Sequence, residues 1–377
     1  MSDYFGKDVF KLGFGLMRLP HLENGETDIE QVKAMVDLFL EAGGTYFDTA
    51  YVYDNGKSER AFKEAVIDRY PRENYTIATK LNAAMQCNDE QSAKQQFYTS
   101  LERTGAGYFD FYLLHALQEG NRRLYDNYHL WDFIKEQKEK GLIRHLGFSF
   151  HGSPELLEEL LDAHPEVDFV QLQVNYADWE NPNVASHRNY DIVRAHGKSV
   201  TVMEPVKGGG LANPIPAVQE IFKAANPDAS FASWAIRYVA SMDGILTVLS
   251  GMSTLAQMED NLSYMRDFKP LSPEEQEVIL KAQKALNESN DIPCTACRYC
   301  TDGCPMQIAI PDIFAAVNEY GRFHNAFHLR RNYGLATRGG GSAADCIACG
   351  QCEGVCPQPL PIITLLQDCR KTVESVS

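Results

Sequence analysis

Eight of the ten cysteines in this 377-residue chain fall into two copies of one spacing near the C-terminus. Cys294, Cys297, Cys300 and Cys304 are followed by Pro305, and Cys346, Cys349, Cys352 and Cys356 by Pro357. Each copy reads C-x-x-C-x-x-C-x-x-x-C-P. In such a run three thiolates of one tight loop take three irons of a 4Fe–4S cubane, and the fourth cysteine reaches the other cluster. Cys294, Cys297, Cys300 and Cys356 are therefore expected to hold one cluster, and Cys346, Cys349, Cys352 and Cys304 a second. Zinc knuckles have no use for the third closely spaced cysteine. Disulfides between such near neighbours would be strained, and nothing points to an oxidising compartment. Cys369, in an apolar helical stretch over 362–373, reads as a small core residue. Cys87 lies in a loop and is given no role.

A second set of reactive side chains stands far upstream. Asp48 ends Tyr46-Phe47-Asp48, and Tyr53 follows five residues later. Lys80 ends Ile77-Ala78-Thr79-Lys80, and His115 ends Tyr112-Leu113-Leu114-His115. These types suit reduction of a carbonyl. The oxygen needs a proton, which Tyr53 can supply. An unperturbed tyrosine, with a pKa of about 10, is a sluggish donor. A nearby Lys80 ammonium favours the phenolate, Asp48 would hold that lysine in place and charged, and His115 would orient the substrate oxygen. Each residue alone also has a plainer reading as a cap or a packing group. Their common position at strand ends favours one site.

The elements that position these groups alternate. Strands are expected over 10–15, 45–48, 76–80, 109–115, 143–149, 168–173, 199–204 and 245–249. Helical patterns fit between them, for example over 91–103, 127–140 and 154–163, the last with Ser153 as N-cap and Pro154 at its first position. Eight strand–helix units of about 30 residues argue for a (β/α)8 TIM barrel, whose chemistry gathers at the C-terminal ends of the strands. Gly13-Phe14-Gly15 is not a dinucleotide fingerprint, since neither a third glycine nor a helix follows. The fold class is thus α/β: a barrel over residues 1–270, a connecting helix over 271–290, and a small, mainly helical ferredoxin-like 4Fe–4S domain over 291–377. Ser272-Pro273-Glu274-Glu275 supplies a capping box for the connecting helix. The cysteine runs are 41 residues apart, with helical patterns at 311–320 and 325–333 and then Gly339-Gly340-Gly341.

The stretch from Phe47 to Glu59, with Ala78-Thr79-Lys80 and Asp110 to His115, resembles the signatures of the aldo-keto reductase family. Leu146-Gly147-Phe148-Ser149 and Phe169-Val170-Gln171-Leu172-Gln173 resemble its fifth and sixth strands. The whole chain resembles a bacterial subgroup that adds a C-terminal two-cluster extension. The resemblance implies a barrel that binds NAD(P)(H) without a Rossmann fold, with Asp48, Tyr53, Lys80 and His115 as its catalytic tetrad. Ser149 and Gln171 match residues that hold the nicotinamide carboxamide. Phe150 stands where the family often has asparagine, and His151 follows it as a second candidate proton donor or a structural histidine. Met203 stands where an aromatic residue often stacks on the nicotinamide, and it can cover a ring only loosely.

Lys207 and Gly208, in Lys207-Gly208-Gly209-Gly210, suit either a pyrophosphate contact or a plain closing loop. The segment from Ser250 to Asn261 resembles the part of the family that meets the adenosine phosphate, with Gly251, Asp260 and Asn261 as candidate contacts. It has no lysine or arginine, so NADP preference is expected to be modest or absent unless a cation such as Arg266 or Lys269 arrives from elsewhere.

Composition limits the partners. A net charge of −16 disfavours nucleic acid and anionic membranes. No apolar run reaches the ~20 residues of a membrane span, and the start, MSDYFGKDVF, does not read as a secretory signal. The expectation is a cytoplasmic oxidoreductase. It would interconvert a small-molecule carbonyl and alcohol with NAD(P)(H), with clusters that brace the fold or pass electrons to an electron-transfer protein. Two alternatives compete: substrate electrons leaving singly through the clusters to an external carrier, and a non-catalytic subunit of a redox complex. Substrate contacts are assigned to loops 81–89, 116–127 and 177–186, near Phe97, Tyr176 and Trp179.

Overall fold

The structure, a computed structural model, describes residues 10–181, 184–287, 291–323 and 326–376. Eight parallel strands close into a barrel in chain order. They are β1 (Leu12–Gly15), β2 (Tyr46–Asp48), β3 (Thr76–Leu81), β4 (Phe109–Leu117), β5 (Ile143–Phe150), β6 (Phe169–Gln173), β7 (Ser199–Met203) and β8 (Ile245–Ser250). Side chains alternate across each strand. One set, including Phe47, Ile77, Tyr112, Leu114 and Val170, joins the large core under the surrounding helices. The other, including Tyr46, Ala78, Phe111, Leu113 and Phe169, forms a separate buried cluster, the layer inside the barrel. Two residues further along, the inward positions become Asp48, Lys80, His115 and Gln171, so alternation itself lifts the polar groups to one rim.

Local signals set most helix boundaries. The helix Pro154–Ala163 begins where Ser153 accepts from the amide of Leu156. Asp89 and Ser92 cap Glu90–Thr104 reciprocally. The helix expected over 127–140 is instead two pieces, Arg122–Asn127 and Leu130–Glu139, broken at His129 with φ of 51°. Burial explains the break. Tyr125 is packed at the barrel mouth with its hydroxyl bonded to the carbonyl of His115. Leu130 and Trp131 are buried in the core beyond the break, and no single straight helix serves both directions.

The chain divides into two compact units, 1–206 with 232–276, and 207–231 with 277–377. The excursion 207–231, read from sequence as part of the barrel, goes with the second unit. The connecting helix runs Pro273–Asn287. It starts with the expected box, in which the Glu275 carboxylate accepts from the Ser272 amide and Ser272 Oγ from the Glu275 amide. Residues 288–290, its expected end, lie outside the described residues. Among its described residues the second unit is helical, chiefly Pro216–Ala225, Ile310–Phe323, Ala326–Ala336 and Ile362–Ser375. The expected start at residue 325 is outside the described residues. A small core of Ile308, Ile310, Ile313, Phe314, Ile362 and Leu366 includes Cys369. Among the described residues no helix is long and apolar enough to cross a membrane.

Candidate functional site

At the rim of the first unit, Lys80 is fully buried, and its Nζ donates to Asp48 Oδ1 at 2.6 Å and to the Thr49 carbonyl at 2.7 Å. The same nitrogen lies 5.0 Å from the centroid of the Tyr53 ring. Tyr53 meets His115 edge to face, with ring centroids 5.5 Å apart. The four residues that sequence placed at strand ends are thus together. Burial pushes the Asp48 carboxyl up and the Lys80 ammonium down from their ordinary values, while the charge of each partner resists. Burial holds His115 well below its ordinary value, with Lys80 and His151 adding to the effect. Its Nδ1 is buried without a hydrogen-bond partner among the described residues. A neutral imidazole here can hydrogen-bond a substrate oxygen without bringing a charge.

The loop carrying Tyr53 is held by groups that sequence reading did not single out. Asp54, Asn55 and Gly56 take left-handed backbone in succession, with φ of 45°, 51° and 82°. Arg103 closes on this turn so tightly that a Cβ on Gly56 would lie 2.5 Å from its guanidinium. Arg103 Nη1 also donates to the Tyr51 carbonyl at 3.0 Å and to Glu59 Oε2 at 3.2 Å. Glu59 is fully buried and takes a further bond from Thr79 Oγ1 at 2.8 Å. Glu59 lies within the stretch that carried the resemblance, but its partner Arg103 sits 44 residues away, so only the fold pairs them.

Ser149 and Gln171 are neighbours across β5 and β6. Ser149 Oγ accepts from the Ala116 amide at 2.7 Å. Gln171 Nε2 lies 3.5 Å from Met203 Sδ, while its buried Oε1 has no partner among the described residues. Gln171 therefore presents an acceptor beside Met203, which suits an amide donor. His151 follows β5, half-buried, its amide bonded to the Leu117 carbonyl at 2.9 Å, and burial lowers its imidazole to about 4. Phe150 turns outward into the core.

The remaining cofactor candidates scatter. Asn261 donates to Ser250 Oγ at 2.7 Å and accepts from the Tyr264 hydroxyl at 2.6 Å, so both ends of its amide are engaged inside the protein. Asp260 is partly exposed and Gly251 exposed. A Cβ on Gly251 would meet Arg18 Cδ at 3.7 Å, and Arg18 Nη2 lies 3.9 Å from Glu204 Oε1. Arg18 is a cation beside this segment that sequence reading missed; its place just past β1, on the functional rim, was the available signal. Arg266 is instead at the far end of the helix Leu255–Met265. Lys207 and Gly208 belong to the second unit, where Lys207 Nζ donates to Gln358 Oε1 at 3.3 Å. Of the aromatics near the expected substrate loops, Phe97 and Tyr176 are buried, and Trp179 stacks on His187 at 4.4 Å.

Among the described residues of the second unit, two cavities are lined by cysteines. One is rimmed by Cys294, Cys297, Cys300 and Cys356. The other is rimmed by Cys304, Cys346, Cys349 and Cys352. These are the crossed sets drawn from spacing, and none of the ten cysteines is joined in a disulfide. The two runs share one backbone shape: Ala296 and Ala348 have φ of 53° and 54°, and Arg298 and Gly350 have φ of 66° and 79°. Such left-handed steps turn amides toward the sulfurs, as where the Ala296 amide meets Cys294 Sγ at 3.5 Å. Burial, then the neighbouring thiols, pushes Cys294 up to about 11 and Cys300 to about 12. Four converging thiols, of which Cys294 and Cys300 are costly to ionise alone, fit a polynuclear iron centre, whose positive charge would deprotonate them. Cys87 donates to the Ala83 carbonyl at 3.1 Å and ties down its own loop.

Sequence comparison matches residues 11–284 to the aldo/keto reductase family and residues 293–360 to a 4Fe-4S dicluster domain. The chain is 22% identical to the uncharacterized oxidoreductase YqkF of Bacillus subtilis over 285 residues, covering 68% of this chain and 87% of that one. It is 28% identical to an aldo-keto reductase of Mycobacterium avium over 269 residues, covering 71% and 84%. Among solved structures it is similar to the holo form of aldo-keto reductase AKR11C1 from Bacillus halodurans, at 26% identity and a TM-score of 0.59, covering 73% of this chain and 92% of that one. An aldo/keto reductase from Klebsiella pneumoniae in complex with NADP and acetate shares the fold at 19% identity and a TM-score of 0.59, covering 72% and 90%.

Proposed function

Because the chain belongs to the aldo/keto reductase family and carries a C-terminal 4Fe–4S dicluster domain, we propose that it is an oxidoreductase interconverting a carbonyl and an alcohol with NAD(P)(H), with Tyr53 as general acid and base. The observation that carries this reading is the buried Lys80, held by Asp48 and Thr49 under the ring of Tyr53, which in turn faces His115.

When bound, the dinucleotide supplies or accepts the hydride. The protein's own groups manage the oxygen. In the reducing direction Tyr53 gives its proton to the carbonyl oxygen, and in the oxidising direction its phenolate takes the proton from the alcohol. A cationic Lys80 lowers the cost of that phenolate. His115 donates a hydrogen bond to the same oxygen and fixes its direction. Ser149 and the acceptor of Gln171 would hold the carboxamide, and Met203 beside Gln171 would offer an apolar surface to the ring. Tyr53→Phe is expected to keep dinucleotide binding and lose turnover by a factor of about 10²–10⁴, read by steady-state kinetics beside a dinucleotide titration. Near-normal turnover would sink the assignment.

Each crossed set of cysteines would hold one 4Fe–4S cluster, about eight irons per chain in total. A nicotinamide passes two electrons as a hydride, whereas such a cluster passes one at a time. The clusters therefore stand outside the carbonyl–alcohol reaction and brace the second unit or serve a separate electron carrier. Folded Cys297→Ser and Cys349→Ser variants should keep NAD(P)H-linked turnover. Loss of turnover with intact fold and dinucleotide binding would put the clusters on the catalytic path.

A further inference from the structure

Lys207 has a partner that the resemblance does not suggest. Its Nζ donates to Gln358 Oε1 at 3.3 Å. Gln358 stands two residues after Cys356 and, with Thr295, lines the cavity rimmed by Cys294, Cys297, Cys300 and Cys356. Gln358 and Thr295 are 5% and 3% exposed. An ammonium can only donate, so this contact dictates which end of the Gln358 amide turns toward Lys207.

The neighbouring residue shows how closely the turn is seated. Gly208, at φ of 62°, lies so near the segment between Cys294 and Cys297 that a Cβ there would come 2.2 Å from the Thr295 carbonyl oxygen. Lys207 itself has φ of 49°, a backbone that a lysine keeps only where its surroundings impose it. Both chain segments that bring cysteines to this cavity, the 294–300 run and the stretch after Cys356, are thus in contact with the turn. The cavity rimmed by Cys304, Cys346, Cys349 and Cys352 has neither Lys207 nor Gln358 among its lining residues.

We propose that Lys207, acting through Gln358, is a tuning residue of the cluster held by Cys294, Cys297, Cys300 and Cys356, rather than a phosphate ligand of the dinucleotide. The proposal rests on the reading that these four cysteines hold a 4Fe–4S cluster. One-electron reduction adds a negative charge to such a cluster without breaking a bond. A cation, and an amide it orients, stabilise the reduced form, because net charge and hydrogen bonds set the potential.

The test uses the full-length protein, purified without oxygen and titrated with dithionite under electron paramagnetic resonance. In Lys207→Met the reduced-to-oxidised ratio of one cluster at fixed potential should fall by about tenfold, which is 59 mV for a one-electron couple. The other cluster should stay put, and the Kd for NADH and NADPH should change by less than roughly twofold. Lys207→Arg should restore the potential, and Gln358→Leu should move the same signal as Lys207→Met. Unmoved potentials with weakened dinucleotide binding would overturn the proposal and return Lys207 to the phosphates; unmoved potentials alone would overturn it too. A wild-type protein with no cluster signal and little iron would instead defeat the underlying cluster reading, which the same samples reveal.

Discussion

The two units build their reactive centres in opposite ways. In the barrel, Asp48, Lys80 and His115 come from three strands about 30 residues apart, and the parallel sheet brings them together. Their mutual bonds are already made: Lys80 has both acceptors in place, and Glu59 with Arg103 holds the loop of Tyr53. In the second unit the reactive groups come from short local loops, and what they do to one another is unfavourable. Burial, and then neighbouring thiols and, at Cys352, Glu353, raise Cys294, Cys300 and Cys352 to about 11 or 12. The core behind them is small. A centre built on a large sheet is preorganised by the fold. A centre built from loops over a small core has to be organised by what it binds.

The largest expected effect exposes that contrast. Stripping iron with a chelator should open the second unit to protease within 207–231 and 277–376 and leave the first unit, 11–206 with 232–276, intact, because in a small metal-built module metal binding carries much of the folding free energy. Limited proteolysis followed by mass spectrometry reads this directly. Equal resistance with and without iron would break the comparison, since the second unit would then be as self-sufficient as the barrel.

A smaller effect sharpens the barrel side. His115 lies well below the ordinary 6.5 and His151 at about 4, both chiefly through burial. As pH falls below 6.5 the unfolded chain takes up protons on both residues before the folded chain does. Their contribution to stability is therefore complete above pH 6.5 and is lost as pH falls from 6.5 through about 4. Urea midpoints of the barrel transition should drop between about pH 7.5 and pH 5, and less steeply in His151→Asn. An identical pH slope in that variant would show that His151 titrates normally.

The smallest effect concerns the dinucleotide. The segment from Gly251 to Asn261 has no lysine or arginine, and the nearby Arg18 shares its charge with Glu204 at 3.9 Å. NADPH should be preferred over NADH by no more than about tenfold, or 1.4 kcal/mol. A larger ratio in paired binding titrations would mean that Arg18 meets a 2′-phosphate directly, and Arg18→Ala should then abolish it.

Much of the barrel and of both cysteine sets was legible in the amino-acid sequence. The eight strands appear within two residues of their expected ends, because period-two alternation is a local property of the chain. The cysteine sets were legible because ligand spacing within a tight loop is nearly covalent geometry, and their crossing follows from that spacing. The grouping of Asp48, Lys80 and His115 was legible because the C-terminal ends of parallel strands share one rim of a barrel. Other features depended on partners distant in sequence. Residues 122–139 break at His129 because Tyr125 and Trp131 are buried on different sides of that turn. Asn261, a candidate for the adenine, is taken by Ser250 and Tyr264. Glu59 needed Arg103 to become a brace for the Tyr53 loop.

Lys207 and Gly208 mark that boundary most sharply. A glycine-rich turn with a lysine is compatible with a pyrophosphate, a closing loop or a wall of another domain, and nothing local separates the three. The sequence by itself determined the chemistry available: thiols at cluster spacing and a tyrosine, lysine, aspartate and histidine at strand ends. Only the tertiary structure decided which neighbours each group received, seating Lys207 on Gln358 within the second unit. The physical reason is that periodicity and ligand spacing are written within a few residues of chain, whereas the seat of a loop depends on which distant surface can bury it and satisfy its polar atoms.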